Sequence, residues 1–188
     1  FTSGINIYIL LAIFIAGASL LTYLIIYVPR FDYIQGRIFS FFNRETGTHN
    51  FQSDKAIESI TSGGFFGKGI GEGVLKNRVP EAHTDYIISV ISEEFGVVAI
   101  MLILLLFLIL IYMVFKKISF ETNDKVKLIL IGSISLILMQ ATIHIGVNIR
   151  LLPTTGMTLP FLSYGGSSII STSILAGIIL NLTKRKIT

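Results

Sequence analysis

The sequence predicts an all-α membrane protein, a polytopic bundle whose helices cross the bilayer several times. Hydrophobic residues make up 52% of the 188-residue chain and charged residues only 14%, whereas soluble domains average about 25% charged residues. The mean hydropathy is +0.77. Three uncharged apolar runs are long enough to cross a hydrocarbon core of about 30 Å. These observations argue against a soluble globular domain and exclude a disordered or collagen-like chain.

Four segments are the predicted spans: residues 5–28, 97–115, 128–148 and 166–182. The first carries no charge, and the second is the most hydrophobic. The fourth is shorter and rich in Ser and Gly, so we expect it to pack among other helices and to begin inside the preceding loop.

Basic residues predict the orientation of the spans. They form one group between the second and third spans and another after the fourth: Lys116, Lys117, Lys125 and Lys127, then Lys184, Arg185 and Lys186. The positive-inside rule places both groups in the cytoplasm. Residues 29–94 then form a large extracytoplasmic loop. The net charge of +4 is interpreted as topology and not as a nucleic-acid-binding surface.

Aromatic and basic residues alternate just after the first span. Residues 31–42 contain five Phe or Tyr side chains, interleaved with Arg30, Arg37 and Arg44. This pattern is typical of a segment lying along the membrane interface. Partial packing against the helices is an equal alternative. The chain has no Cys, which rules out a disulfide framework, a zinc–cysteine site and a thiol nucleophile.

A glycine-rich stretch at residues 63–73 suggests a backbone that bends closely around a neighbour or a ligand. A nucleotide-binding loop is rejected, because no predicted strand precedes the stretch and no Gly-Lys-Ser/Thr ending follows it. The amides could still bind an extracytoplasmic phosphate together with Lys68, Lys76 and Arg78, because exposed N–H groups form anion-binding nests.

The next stretch, Pro-Glu-Ala-His-Thr-Asp-Tyr at residues 80–86, contains the candidate chemistry. In extended backbone Glu81, His83 and Asp85 would share one face. Three interpretations stay open. Thr84 or Asp85 could cap the helix that begins near residue 86, one carboxylate could act as a general base, or the group could hold a divalent cation such as Mg²⁺ or Mn²⁺.

Two further polar features lie close to the predicted spans. Glu93 and Glu94 head the second span, where first-turn carboxylates favour the helix dipole; they could instead pair with Lys76 or Arg78. Gln140, His144 and Asn148 form a polar stripe on the third span. We interpret the stripe as interhelical hydrogen bonding and not as a proton relay.

The loop between the third and fourth spans, residues 149–166, is dense in Pro and Gly, which break helices. Non-helical backbone near membrane depth persists only where it is buried or lines a cavity. We therefore expect a re-entrant segment that meets the glycine-rich stretch at the outer mouth of the bundle.

Two motifs resemble signatures of the SEDS family, the shape, elongation, division and sporulation proteins of bacteria. One combines the glycine-rich stretch with residues 80–86 and the Glu-Glu-Phe-Gly run at 93–96. The other is Leu-Pro-Thr-Thr-Gly-Met-Thr-Leu-Pro-Phe-Leu-Ser-Tyr-Gly-Gly-Ser-Ser at residues 152–168. The second motif is more similar to the cell-division branch, FtsW, than to the elongation branch. The resemblance extends from about residue 30 to the end.

The resemblance implies a peptidoglycan glycosyltransferase that polymerises lipid II and releases undecaprenyl pyrophosphate. It implies that Asp85 takes the proton of the acceptor sugar's 4-hydroxyl, and that Lys68, Lys76 and Arg78 neutralise the leaving group. Glu81 and His83 would contact substrate. It makes no cofactor certain, and a divalent cation, Mg²⁺ or Mn²⁺, could lie near the pyrophosphate. The implied partners are a class B penicillin-binding protein, which is a transpeptidase, and other division proteins, in the bacterial cytoplasmic membrane at the septum.

The family has more spans than the four found here, so the chain resembles only the C-terminal part of its members. We expect it to be a processed, truncated or partial chain, since residue 1 is Phe and not Met. Two alternatives to polymerisation remain at this point: a transporter of lipid-linked precursors and a non-catalytic division scaffold.

Overall fold

The structure, a computed structural model, describes residues 6–43, 48–79 and 81–184, without the side chains of residues 43, 48–50 and 76. Its helices are α1 (Ile7–Tyr27), a 3-10 turn (Pro29–Phe31), α2 (Asp32–Asn43), α3 (Thr48–Gly63), α4 (Leu75–Arg78), α5 (Ile87–Phe120), α6 (Asp124–Asn148) and α7 (Gly166–Thr183). No strand occurs in these ranges, so the predicted all-α class is confirmed. Arg44, Pro80, Arg185, Lys186 and the side chain of Lys76 lie outside the described part.

Four helices, α1, α5, α6 and α7, are long and apolar enough to cross a membrane. Each overlaps one predicted span, although α5 has 34 residues and begins well before residue 97. The backbone of α5 is broken at Gly96 (φ 76°, ψ −175°). The predicted start of the second span therefore coincides with this break. The predicted outer loop of residues 29–94 is largely helical.

The chain divides into two compact units, and the first is Phe1–Asn50. In this unit, the Asn6 side chain accepts a hydrogen bond from the Tyr8 N–H at 3.1 Å and caps α1. The helix ends at Tyr27, and its C-cap residue Val28 immediately precedes the Pro29 turn. On α2, the Arg37 guanidinium lies 4.5 Å from the centroid of the Tyr33 ring. An exposed aromatic helix fits the predicted interface location, which stays a prediction.

The second unit, Phe51–Thr188, contains the bundle of α5, α6 and α7. One end of the bundle has an apolar core formed by Val114, Leu130, Ile134, Ile137 and Ile179. The described basic residues of both predicted cytoplasmic groups lie at this end, in the last turns of α5, in the first turn of α6 and directly after α7. Two of them form local ion pairs, Lys117 with Glu121 at 3.2 Å and Lys127 with Asp124 at 3.3 Å.

At the opposite end of the same unit, α3 and α4 cover the start of α5 and the end of α6. The apolar cluster that joins them consists of Ala56, Leu75, Val79, Ala82, Tyr86, Val90 and Val147. This cluster has no counterpart in the hydropathy pattern, because its members are scattered over four helices and the connection between α4 and α5. It fixes the connection between α4 and α5, where the candidate chemistry lies.

Candidate active site

Asp85 lies in the connection between α4 and α5, between two buried anchors. Ala82 is 2% exposed and Tyr86 is 1% exposed, and both belong to the apolar cluster under α3 and α4. The side chain of His83 is exposed and that of Asp85 is half-buried. The anchors hold the segment against the bundle while its polar side chains remain at the surface.

The segment is a series of turns and not an extended strand. Glu81 has a left-handed backbone (φ 66°), and its carbonyl accepts hydrogen bonds from the Thr84 and Asp85 N–H groups at 3.1 and 3.0 Å. The Thr84 hydroxyl also donates to the Glu81 carboxylate at 2.8 Å. The prediction that Glu81, His83 and Asp85 share one face of extended backbone is therefore wrong.

Neither Thr84 nor Asp85 is the N-cap residue of α5. That position is occupied by Tyr86, whose side chain makes no capping hydrogen bond. The cation alternative gains no support, because the described residues include no cluster of three or more His, Asp or Glu side chains suited to a metal ion.

The Pro- and Gly-rich loop packs directly against this segment. Ser163 Oγ donates to the Thr84 carbonyl at 2.7 Å, and the Tyr164 N–H donates to the His83 carbonyl at 3.1 Å. Gly156 (φ 71°) lies beside the Asp85 carboxylate, since a Cβ at residue 156 would be 3.7 Å from Asp85 Oδ2. The loop was expected to meet the glycine-rich stretch; these contacts join it instead to residues 83–85.

The polar stripe of α6 holds the same loop along the helix. Gln140 Nε2 donates to the Thr158 carbonyl and to Ser168 Oγ, both at 2.9 Å. His144 Nδ1 lies 2.8 Å from the Met157 carbonyl oxygen. The loop leaves α6 after Asn148 and still contacts Gln140, eight residues earlier on the helix. At a rise of 1.5 Å per residue, the loop therefore folds back along α6 by about 12 Å. The bond to Ser168 of α7 is interhelical, as interpreted from the sequence, whereas the bonds to Thr158 and Met157 join α6 to the loop.

The glycine-rich stretch, residues 63–73, forms a turn that fills the break in α5. The Lys68 and Gly69 N–H groups donate to the Glu93 and Glu94 carbonyls at 2.9 and 3.1 Å, and the Val97 N–H donates to the Gly64 carbonyl at 3.0 Å. The helix break would otherwise leave these α5 groups without helical partners. The amides of Lys68 and Gly69 are thus already used, which weakens the phosphate interpretation.

This interlock requires glycine at its closest approaches. A Cβ at Gly67 would lie 2.2 Å from the Glu94 carbonyl oxygen, and one at Gly96 would lie 2.2 Å from the Phe65 carbonyl oxygen. Real side-chain carbons do not approach backbone atoms this closely. The glycines therefore serve backbone-to-backbone packing.

Glu93 organises the elements next to the interlock. Its carboxylate accepts hydrogen bonds from the Val74 and Leu75 N–H groups at 3.1 and 3.0 Å, at the start of α4. It also pairs with Lys68 Nζ at 2.8 Å, and its side chain is only 3% exposed. The first-turn dipole interpretation is wrong, because α5 begins earlier, at Ile87. The actual cationic partner, Lys68, is not one of the two considered for it.

The predicted substrate residues are distributed around one end of the bundle. Glu81, His83 and Arg78 have exposed side chains, and Lys76 lies on α4. Lys68 is partly exposed but is committed to Glu93. Sequence reasoning missed the anchors at Ala82 and Tyr86 and the hydrogen bonds from Ser163 and Asn148. The only local signal of these anchors is that a small residue, Ala82, and an aromatic residue, Tyr86, flank the polar residues 83–85.

Comparison with known proteins gives consistent relatives. A probable peptidoglycan glycosyltransferase FtsW of Enterococcus hirae is 40% identical over 73% of this chain and 35% of its own length. The probable FtsW of Caulobacter vibrioides is 39% identical over 83% of this chain and 40% of its own. That of Geobacter metallireducens is 36% identical over 92% and 47%. The chain thus spans less than half the length of these relatives.

A solved structure has the same fold. It was described as "Structural coordination of polymerization and crosslinking by a peptidoglycan synthase complex", and one of its chains matches 94% of this chain with a TM-score of 0.66 and 26% identity. The match covers 48% of that chain. The model of the FtsW/RodA/SpoVE family of cell cycle proteins matches residues 1–187. With its membrane helices, motifs and relatives in agreement, the chain belongs to the FtsW/RodA/SpoVE family of cell cycle proteins.

Proposed function

We propose that this chain provides the C-terminal part of a peptidoglycan glycosyltransferase that polymerises lipid II during cell division, with Asp85 as its catalytic base. The supporting observation is the placement of Asp85. Its half-buried carboxylate lies at the end of the bundle opposite the basic groups, on backbone fixed by Ser163 and Asn148. A carboxylate held in this way can take a proton from a sugar hydroxyl.

In the proposed reaction, Asp85 removes the proton of the acceptor 4-hydroxyl while that oxygen attacks the anomeric carbon of the donor. The new glycosidic C–O bond forms as the bond to the pyrophosphate breaks, and undecaprenyl pyrophosphate leaves with the electron pair. Because Lys68 already pairs with Glu93, we assign neutralisation of the leaving group mainly to Lys76 and Arg78 of α4. The exposed Glu81 and His83 would contact the sugars.

The proposed partners are a class B penicillin-binding protein and other division proteins at the septum of the cytoplasmic membrane. The structural neighbour comes from a peptidoglycan synthase complex, which supports a joint action of polymerase and transpeptidase. The four apolar helices support a multi-pass location. Both proposals concern the full gene product.

The test is Asp85→Asn in the full gene product, assayed for lipid II polymerisation with its transpeptidase. We expect polymer formation to fall by at least about 100-fold, because Asn cannot accept the proton, while co-purification with the transpeptidase is unchanged. Asp124→Asn is the matched control. Asp124 lies at the start of α6, far from the end that contacts Asp85, and it pairs locally with Lys127. Undiminished polymerisation by Asp85→Asn would reject the base role.

The same preparation separates the two alternatives. A transporter would move labelled lipid II across vesicles without making polymer, and Asp85→Asn would not affect that movement. A scaffold would bind the transpeptidase and yield no polymer from either the native protein or the variant.

A further inference from the structure

Three consecutive backbone carbonyls around Asp85 are each held by a donor from later in the chain. The His83 carbonyl accepts from the Tyr164 N–H at 3.1 Å and the Thr84 carbonyl from Ser163 Oγ at 2.7 Å. The Asp85 carbonyl accepts from Asn148 Nδ2 at 2.9 Å. We refer to these three hydrogen bonds as the carbonyl clamp.

The two side-chain donors of the clamp are themselves oriented by further bonds. Ser163 is 3% exposed, and its Oγ accepts from the Leu159 N–H at 2.8 Å. Asn148 is fully buried; its Oδ1 accepts from Ser89 Oγ at 2.7 Å, and its Nδ2 also donates to the His144 carbonyl at 2.9 Å. Side chains with several partners have little freedom to move, so the clamp has a defined geometry.

Two donors of the clamp and one neighbour of the carboxylate come from the same loop. Gly156 lies beside Asp85 Oδ2, and Ser163 belongs to the same stretch between α6 and α7. A shift of this stretch would therefore move the backbone of residues 83–85 and the neighbour of the carboxylate together. The Ser163 hydroxyl is the side chain through which this stretch is hydrogen-bonded to the backbone of residues 83–85.

We propose that Ser163 is a positioning residue, whose hydrogen bond to the Thr84 carbonyl sets the orientation of the Asp85 carboxylate toward the acceptor hydroxyl. This inference rests on the proposed role of Asp85 as the base. Ser163 acts through the backbone and does not itself contact the reacting atoms. Misplacement of a catalytic group by about 1 Å can cost about 100-fold in rate, so loss of this bond affects turnover more than substrate binding.

The kinetic test is Ser163→Ala in the full gene product. We expect kcat for lipid II polymerisation to fall about 10- to 100-fold, with KM changed by no more than about twofold, because the groups that bind substrate are retained. Ser163→Thr keeps the hydroxyl donor and is expected to retain kcat within about threefold. The matched control is Ser133→Ala, which removes another buried Ser hydroxyl from the middle of α6.

A second measurement does not depend on activity. The chain contains no Cys, so a nitroxide attached to Asp85→Cys, in a full-length background without other Cys, reports on the mobility of residue 85. We expect an immobilised spectrum with Ser163 present and a clearly more mobile one with Ser163→Ala. Normal polymerisation by Asp85→Asn would reject the proposed base role. The mobility of the label would still test the clamp in that case.

A native kcat in Ser163→Ala would overturn the positioning role. A loss of kcat in Ser133→Ala as large as that in Ser163→Ala would also overturn it, because it would indicate general destabilisation. Equal label mobility with and without the Ser163 hydroxyl would also overturn it, as would a Ser163→Thr variant no more active than Ser163→Ala.

Discussion

Gly96 carries the backbone conformation on which the outer end of α5 depends. Its dihedral angles, φ 76° and ψ −175°, lie in a region that is essentially restricted to glycine. The absence of a Cβ also lets the Phe65 carbonyl and the Gly67 amide come close. One residue therefore permits both the break in the helix and the interlock that fills it.

Replacing this glycine by alanine is expected to destabilise the protein strongly. For Gly96→Ala the backbone conformation alone costs about 1–3 kcal/mol, and the contact with the Phe65 carbonyl adds to that cost. We expect a clearly lower midpoint in a thermal unfolding series followed by size-exclusion chromatography in detergent.

The control is Gly132→Ala, at a helical position of α6 where a Cβ meets nothing within 4 Å in this chain. Alanine is favoured over glycine in a helix by about 1 kcal/mol, so an unchanged or higher midpoint is expected there. If the two variants unfold at the same temperature, the interlock contributes nothing to stability.

The short helix α4 depends on a carboxylate from another element. With four residues it is far too short to be stable alone, and Glu93 of α5 supplies acceptors for its first N–H groups. The position of Lys76 and Arg78 thus follows from a side chain that is distant in sequence.

Glu93→Gln is expected to loosen α4 without disturbing the bundle. The variant loses the ion pair with Lys68. Its amide NH₂ group replaces one carboxylate oxygen, so a buried N–H group lacks a suitable acceptor, which costs about 1–3 kcal/mol of stability. Limited proteolysis, read by mass spectrometry, should show faster cleavage within residues 68–79 while the cleavage pattern of α6 stays unchanged.

Glu58→Gln tests whether any lost ion pair has the same effect. Glu58 is 59% exposed and pairs with Lys55 on α3; the hydrogen bond from Lys55 lowers the pKa of the Glu58 carboxyl. Exposed pairs of this kind contribute little to stability, so cleavage of Glu58→Gln should match the native protein. Equal acceleration in both variants would contradict the special role of Glu93.

At the scale of the whole molecule, the arrangement of charge predicts the topology. The candidate site and the two predicted cytoplasmic basic groups lie at opposite ends of the α5–α6 pair. Asn148 contacts Asp85, whereas Lys116 and Lys127 lie near the connection between the two helices. The positive-inside rule assigns the basic end to the cytoplasm.

Cysteine labelling in intact cells measures this topology directly. In a background without other Cys, a membrane-impermeant maleimide should label Glu72→Cys, an exposed position of the glycine-rich turn, and should not label Thr122→Cys between α5 and α6. Permeabilised cells, in which both positions react, provide the control. The reverse pattern would place Asp85 on the cytoplasmic side and would contradict the proposed reaction.

The bundle was predictable from sequence where composition alone decides the outcome. Long uncharged runs form membrane helices whatever surrounds them, so α1, α6 and α7 were located closely. The extension of α5 before Gly96 was not predicted, because Ser92 and Glu93 are polar and become buried only through α3 and the glycine-rich turn. Asp85 was singled out by its motif, and its role stays a prediction. Its backbone partners come from distant parts of the chain that local patterns do not connect.

The carbonyl clamp also fixes the order in which the protein can mature. Its side-chain donors follow their acceptors by 63 and 79 residues, so a ribosome must synthesise α6 and most of the following loop before residues 83–85 can settle. A nascent chain arrested earlier would carry the carboxylate without its final alignment. The alignment of this carboxylate therefore has to wait for the synthesis of the loop that follows α6.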